Sequence, residues 1–152
     1  MINANTYGSK ILNIMLHTGS AYSETFTSTP YLALYTTMPD ANVAGAAEPT
    51  DSAYTRVLLS AKGVNQTNLL GTAVVVDGDG TNAGKKLAQV TNQELIFFPE
   101  AQTAWGQIVG FGIYENKGAT TPYFWGELTA PTAVEAEEIA IFRVGDFKIT
   151  LC

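Results

Sequence analysis

The apolar positions change period once along this chain. In residues 5–18, Tyr7, Ile11, Ile14 and Met15 stand at i, i+4, i+7 and i+8, and Leu12 and Leu16 widen the stripe, the spacing of an amphipathic helix. Asn5 or Thr6 can cap its start and Gly19 its end, so residues 1–20 read as an N-terminal helical segment. After Pro30 the period falls to two and stays there. Tyr31 to Tyr35 sets Leu32 and Leu34 on one face and the tyrosines on the other. Residues 40–53 are small and polar and read as an exposed loop. Further strands are predicted at Tyr54–Ser60, Val74–Val76, Leu87–Phe98, Trp105–Tyr114, Tyr123–Leu128, Ile139–Val144 and Phe147–Leu151, with Gly, Pro and Asn punctuation between them. About eight short strands after one helix predict a single domain over residues 1–152. The expected fold is all-β: an antiparallel, jelly-roll-like β-sandwich over residues 30–152 behind the helix.

Two strands carry packing information. From Trp105 to Ile113 the odd positions Trp105, Gln107, Val109, Phe111 and Ile113 form one face, and the even ones include Gly106, Gly110 and Gly112. Glycines weaken a strand unless something approaches its backbone closely. The expected visitor is the helix, a second sheet or a neighbouring subunit. Trp125 shares a face with Tyr123 and Glu127, opposite Phe124 and Leu128. These patterns mark Ile11, Met15, Leu16, Gly110, Gly112 and Trp125 as candidate interface residues.

Composition narrows the class. Hydrophobic residues make up 46% of the 152, aromatic ones 11% and charged ones 14%, against about 25% charged in ordinary domains. The aromatic content excludes disorder. No apolar run reaches the roughly 18 residues of a membrane span. Eight basic residues face fourteen acidic ones, for a formal net charge of −6. No basic face can be built for nucleic acid, and anionic lipid would repel the chain. So little charge on a chain with ample core points to a surface that is not all left facing water.

Candidate chemistry is sparse. One cysteine, Cys152, and one histidine, His17, exclude a disulfide framework and Cys- or His-based metal clusters. His17 sits where a helix C-terminus favours positive charge. Asp77-Gly78-Asp79-Gly80-Thr81-Asn82 opens like a calcium loop, which makes Asp77 and Asp79 weak metal candidates, but position twelve is Ala88 where a bidentate glutamate belongs. Glu135, Glu137 and Glu138 read as a solvated edge, and nothing pairs Glu100 with Glu127 for glycoside hydrolysis. No phosphate loop or nucleophile elbow is present. No cofactor and no enzymatic activity are expected.

The blocks Tyr31-Leu32-Ala33-Leu34-Tyr35-Thr36-Thr37, Tyr54-Thr55-Arg56-Val57, Phe97-Phe98-Pro99-Glu100-Ala101 and Trp105 to Tyr114 occur in order. Phe124-Trp125-Gly126-Glu127-Leu128-Thr129-Ala130-Pro131 and Gly145 to Leu151 follow. Over residues 31–151 the chain resembles small tailed-phage virion proteins of the tail-fibre, minor tail or head-decoration type. The resemblance implies a non-enzymatic β-sandwich in a symmetric assembly, made in the host bacterial cytoplasm and located in the virion. It brings no catalytic residues. The expected partners are further copies of the chain, a trimer by preference, and other virion proteins such as major capsid or tail proteins. With no coiled coil, triple helix or β-helix shaft in the sequence, a capsid-decorating module is favoured slightly over a tail-fibre or baseplate-associated one. A host-glycan-binding module, with Trp125 in an aromatic surface, is the other reading.

Overall fold

In the computed structural model of the chain, the residues described are 3–4, 30–41, 44–59, 69–71 and 74–151. Ten strands, all paired antiparallel, are β1 (Asn3–Ala4), β2 (Tyr31–Tyr35), β3 (Val57–Leu58), β4 (Val74–Asp77), β5 (Lys86–Thr91), β6 (Ile96–Phe97), β7 (Gly106–Tyr114), β8 (Phe124–Val134), β9 (Ile141–Phe142) and β10 (Lys148–Leu151). They form a five-stranded sheet in the order β1-β8-β7-β2-β3, a three-stranded sheet β10-β5-β4 and a two-stranded ribbon β6-β9. The fold class is all-β, as expected. Asn3 and Ala4 pair with Trp125 and Phe124 as a strand, so a helix does not begin at residue 1. Residues 5–20, with Ile11, Met15 and Leu16, lie outside the described residues. Among those described, the only helical turn is a 3-10 turn at Gly80–Asn82.

The five-stranded sheet has two apolar faces. Leu32, Leu34, Phe111, Ile113 and Val134 look into a core completed by Leu59, Ile96, Phe98, Trp105 and Phe147 from the rest of the chain. Ala33, Tyr35, Tyr114 and Trp125 form a smaller cluster on the other face. The alternations expected for β2 and for the start of β8 hold, with Phe124 and Leu128 packed on the larger core opposite Trp125. Aromatic edges organise that core: Tyr54 stacks on Phe98 at 6.1 Å, and Trp105 meets both rings edge-on. Phe147 meets Phe111 and Phe142 in the same way.

Three predicted strands differ, each for a physical reason. Of residues 54–59 only Val57 and Leu58 form a strand, β3, because the Tyr54 N–H closes a turn onto the Asp51 carbonyl, and the Tyr54 and Arg56 side chains bond to Glu48. The long strand 87–98 is two strands in different sheets, divided at Asn92. The strand expected to end at Leu128 continues to Val134. Across β7 and β8 the register steps from Ile108↔Thr132 to Gly110↔Glu127, so Leu128, Thr129, Ala130 and Pro131 oppose the single residue Val109. Pro131, which has no N–H to give a ladder, falls inside this offset. The bulge also shifts the phase of β7: Ile108 joins Phe111 and Ile113 in the core, while Gln107 is exposed. The strict odd-position face expected for residues 105–113 is therefore broken at Val109.

Candidate interaction surface

Glycines 110 and 112 do sit under close neighbours. A Cβ on Gly112 would lie 2.1 Å from the Tyr35 hydroxyl, and one on Gly110 would lie 2.1 Å from the Met38 sulfur. Among the described residues the close neighbours are the side chains of Tyr35 and Met38. Gly110, Gly112 and Trp125, proposed from sequence as interface positions, are all buried within the chain. Trp125 is 4% exposed and Trp105 is 5% exposed, so neither indole offers an open ring to a sugar.

Above these glycines lies a polar clamp that the sequence reading missed. The Tyr35 and Tyr114 hydroxyls are 2.7 Å apart. Arg56 lies flat over the Tyr114 ring, 3.5 Å from its centre. Its guanidinium donates to Glu48 through Nη2 (2.5 Å) and Nε (3.1 and 3.2 Å), and through Nη1 to the Ala119 carbonyl (2.7 Å). Tyr54 donates to Glu48 Oε2 at 2.9 Å and accepts the Leu34 N–H. Burial, followed by the Tyr114 hydrogen bond, pushes the Tyr35 phenol far up, and burial with the Glu48 charge does the same to Tyr54. Burial opposes the Arg56 charge, but Glu48 outweighs it and the guanidinium is held more firmly protonated. The arrangement fastens residues 48–56 to the sheet.

Asp51 is the second tether of that segment. It accepts N–H bonds from Ala53 at one oxygen, and from Gln102, Thr103 and the Trp105 indole at the other, at 2.7–3.1 Å. These donors, the Ala53 N–H first, hold its carboxyl down at about 2. The segment read as an exposed loop is thus bound at Glu48 and Asp51, and Pro49 between them is buried.

The third tether is Asn92. Its amide donates to the carbonyls of Glu94 and Arg143, and its oxygen accepts from Gly145 and Phe147, all at 2.8–3.1 Å. This corner is where the chain leaves β5 for β6 and where it passes from β9 to β10. Gly145 takes φ +87° there, a conformation costly for a residue with a Cβ.

The metal candidates do not converge. Asp77 pairs with Lys86 across the β4–β5 hairpin, both exposed, and Asp79 precedes the 3-10 turn. No group of three or more metal-ligating side chains occurs among the described residues. No helix among them is long and apolar enough to cross a membrane.

The ribbon β6-β9, whose ends Asn92 binds through the Glu94 and Arg143 carbonyls, turns one side to solvent. Ile96 and Phe98 point inward, so the pairing Phe97↔Ile141 faces outward. Phe97 is 64% exposed, Ile141 54%, Leu95 52% and Ile139 45%. The Phe98 N–H bond to Ala140 extends the register, which aligns these four on one face. Beside them runs a cleft of about 550 Å³ lined by Leu34, Ile108, Leu128, Val134, Ile139 and Ile141 among others. A contiguous exposed apolar stripe makes this face the candidate interaction surface.

The comparison with protein families matches residues 3–150 to the family described as podophage GP4 fiber I protein gp80. The chain belongs to this family. It is a phage fibre-type structural protein of the virion, in agreement with the resemblance carried by the blocks between Tyr31 and Leu151. A search of curated proteins found no match.

Proposed function

We propose that this fibre-family protein is a compact, non-enzymatic subunit, made in the host bacterial cytoplasm, that joins the tail-fibre assembly of the particle by packing against neighbouring subunits. The family match over residues 3–150 carries this reading. The exposed stripe on β6-β9 supports it, because an apolar face anchored at its end by Asn92 is suited to contact and not to catalysis. A two-layer sandwich, with the five-stranded sheet covered on its larger core face by the other two sheets, accounts for the shared core. We read the subunit as part of a symmetric oligomer, a trimer by preference. The edge strand β4, with Val74 and Val75 exposed, is available for contact between copies. Immunogold labelling of intact particles tests the placement, with label expected at the tail. Label over the head would instead favour capsid decoration. Purified particles lacking the chain altogether would overturn both.

A further inference from the structure

We propose that the outer face of β6-β9 docks a different virion protein, one whose apolar surface is ringed by lysine or arginine, and not a second copy of this chain. The inference rests on the virion reading above and adds the chemistry of the partner.

The charge around the stripe carries it. Residues 94–100 and 135–143, the ribbon and its ends, contain Glu94, Glu100, Glu135, Glu137 and Glu138 against one cation, Arg143. Five acidic residues less one basic leave −4 of the chain's formal −6 on this small surface. All five carboxylates are exposed. The bonds from Ala101 to Glu138 and from Glu137 to Ala101 gather Glu100, Glu137 and Glu138 at one end of the stripe. Glu94 and Arg143 stand at the other, where Asn92 binds both their carbonyls.

Two such faces brought together would set five carboxylates against five in a shrinking dielectric, and like charges across an interface cost several kcal/mol. Among the described residues, Lys85 and Lys86 are the one pair of cations adjacent in sequence, and Lys117 and Lys148 stand singly. The adjacent lysines 85 and 86 share their hairpin with Asp77 and Asp79, and Arg56 is spent on Glu48. A partner with an apolar centre and a basic rim satisfies both features. Its anchor side chains have a receptacle in the cleft between Ile139, Ile141 and Leu128.

The test is complementation. Phage unable to make the chain is grown in hosts supplying the wild-type chain, the double variant Phe97→Glu/Ile141→Glu, or Glu94→Gln/Glu100→Gln. Copies per purified particle are counted by quantitative mass spectrometry after washes of rising salt. Wild-type copies should be lost as salt rises. The Phe97/Ile141 variant should fall by more than about tenfold, with a thermal midpoint equal to wild type because both side chains already face water. The glutamine variant should be retained less well at low salt and depend less on salt. Normal incorporation of the Phe97/Ile141 variant would sink the docking proposal while leaving the virion reading intact. Absence of the chain from wild-type particles would sink the virion reading itself. Light scattering decides against a second copy: an oligomer of the pure wild-type chain that the Phe97/Ile141 variant turns into monomer would overturn the choice of partner.

Discussion

A glycine in the middle of a strand sacrifices packing and entropy, and Gly112 shows what is obtained in return. Its missing Cβ makes room for the Tyr35 ring, whose hydroxyl then reaches Tyr114 under Arg56. Gly112→Ala must expel Tyr35 from a buried site, at a cost of about 1–3 kcal/mol for overpacking and more if the hydroxyl pair is lost. Urea denaturation should show this loss, and it should shrink in a Tyr35→Ala background, where no ring remains to collide. Equal losses in both backgrounds would refute the account. The glycine pattern was legible in sequence because bare even positions stand out. The identity of the visitor was not, because a ring on the neighbouring strand β2, far away in sequence, leaves no trace in local spacing. Glu48 and Arg56 were missed for a related reason. Their pairing depends on how residues 36–56 return to the sheet, although a salt bridge in so sparsely charged a chain could have been sought among the few cations.

At the scale of elements, a segment holding one strand was readable in position, and the segment that feeds two sheets was not told apart from one long strand. β2 follows from alternation, and β4 and the span of β7 from apolar runs beside turns. The split of 87–98 does not, since Leu87 to Phe98 contains neither glycine nor proline. The break is made by a side chain. Asn92 competes with the ladder for the backbone of Glu94, Arg143, Gly145 and Phe147. Asn92→Ala removes four hydrogen bonds at once and leaves the buried Phe147 N–H without its acceptor, while the Gly145 N–H keeps the Asn92 carbonyl and the Arg143 carbonyl keeps the Asp146 N–H, so a destabilisation on the order of 2 kcal/mol is expected. Hydrogen exchange should quicken most at Gly145 and Phe147. A variant with wild-type stability would mean that water replaces the amide without loss.

For the whole molecule, the scarcity of charge has a thermodynamic side. Asp51 is held at about 2 from an ordinary 3.8, so its folded-state pKa is depressed. The unfolded chain takes up the proton first as pH falls. The contribution of Asp51 is therefore complete above about pH 4 and disappears as pH drops toward 2. The thermal midpoint should fall across that window, and Asp51→Asn should flatten the fall while lowering the midpoint at pH 7. An unchanged pH profile in the variant would assign the acid sensitivity elsewhere. The fold class and the family were visible from composition and block order, because both are properties of the chain as a whole. The interaction face was not, because Leu95, Phe97, Ile139 and Ile141 read in sequence as ordinary strand positions. Only the pairing of β6 with β9 turns them to the same side.

The offset between β7 and β8 also bears on how such a gene can change length. A codon gained inside β2 would invert every later side chain of that strand, moving Leu34 out of the core and Tyr35 into it. Between Ala130 and Pro131, four residues already span the distance of one, and the ladder resumes at Thr132 whatever their number. One added serine there should leave the melting curve of the protein within a few degrees of wild type, whereas the same insertion after Ala33 should abolish cooperative melting. Relatives of this chain are therefore expected to vary in length at residues 128–131 and to keep β2 without gaps.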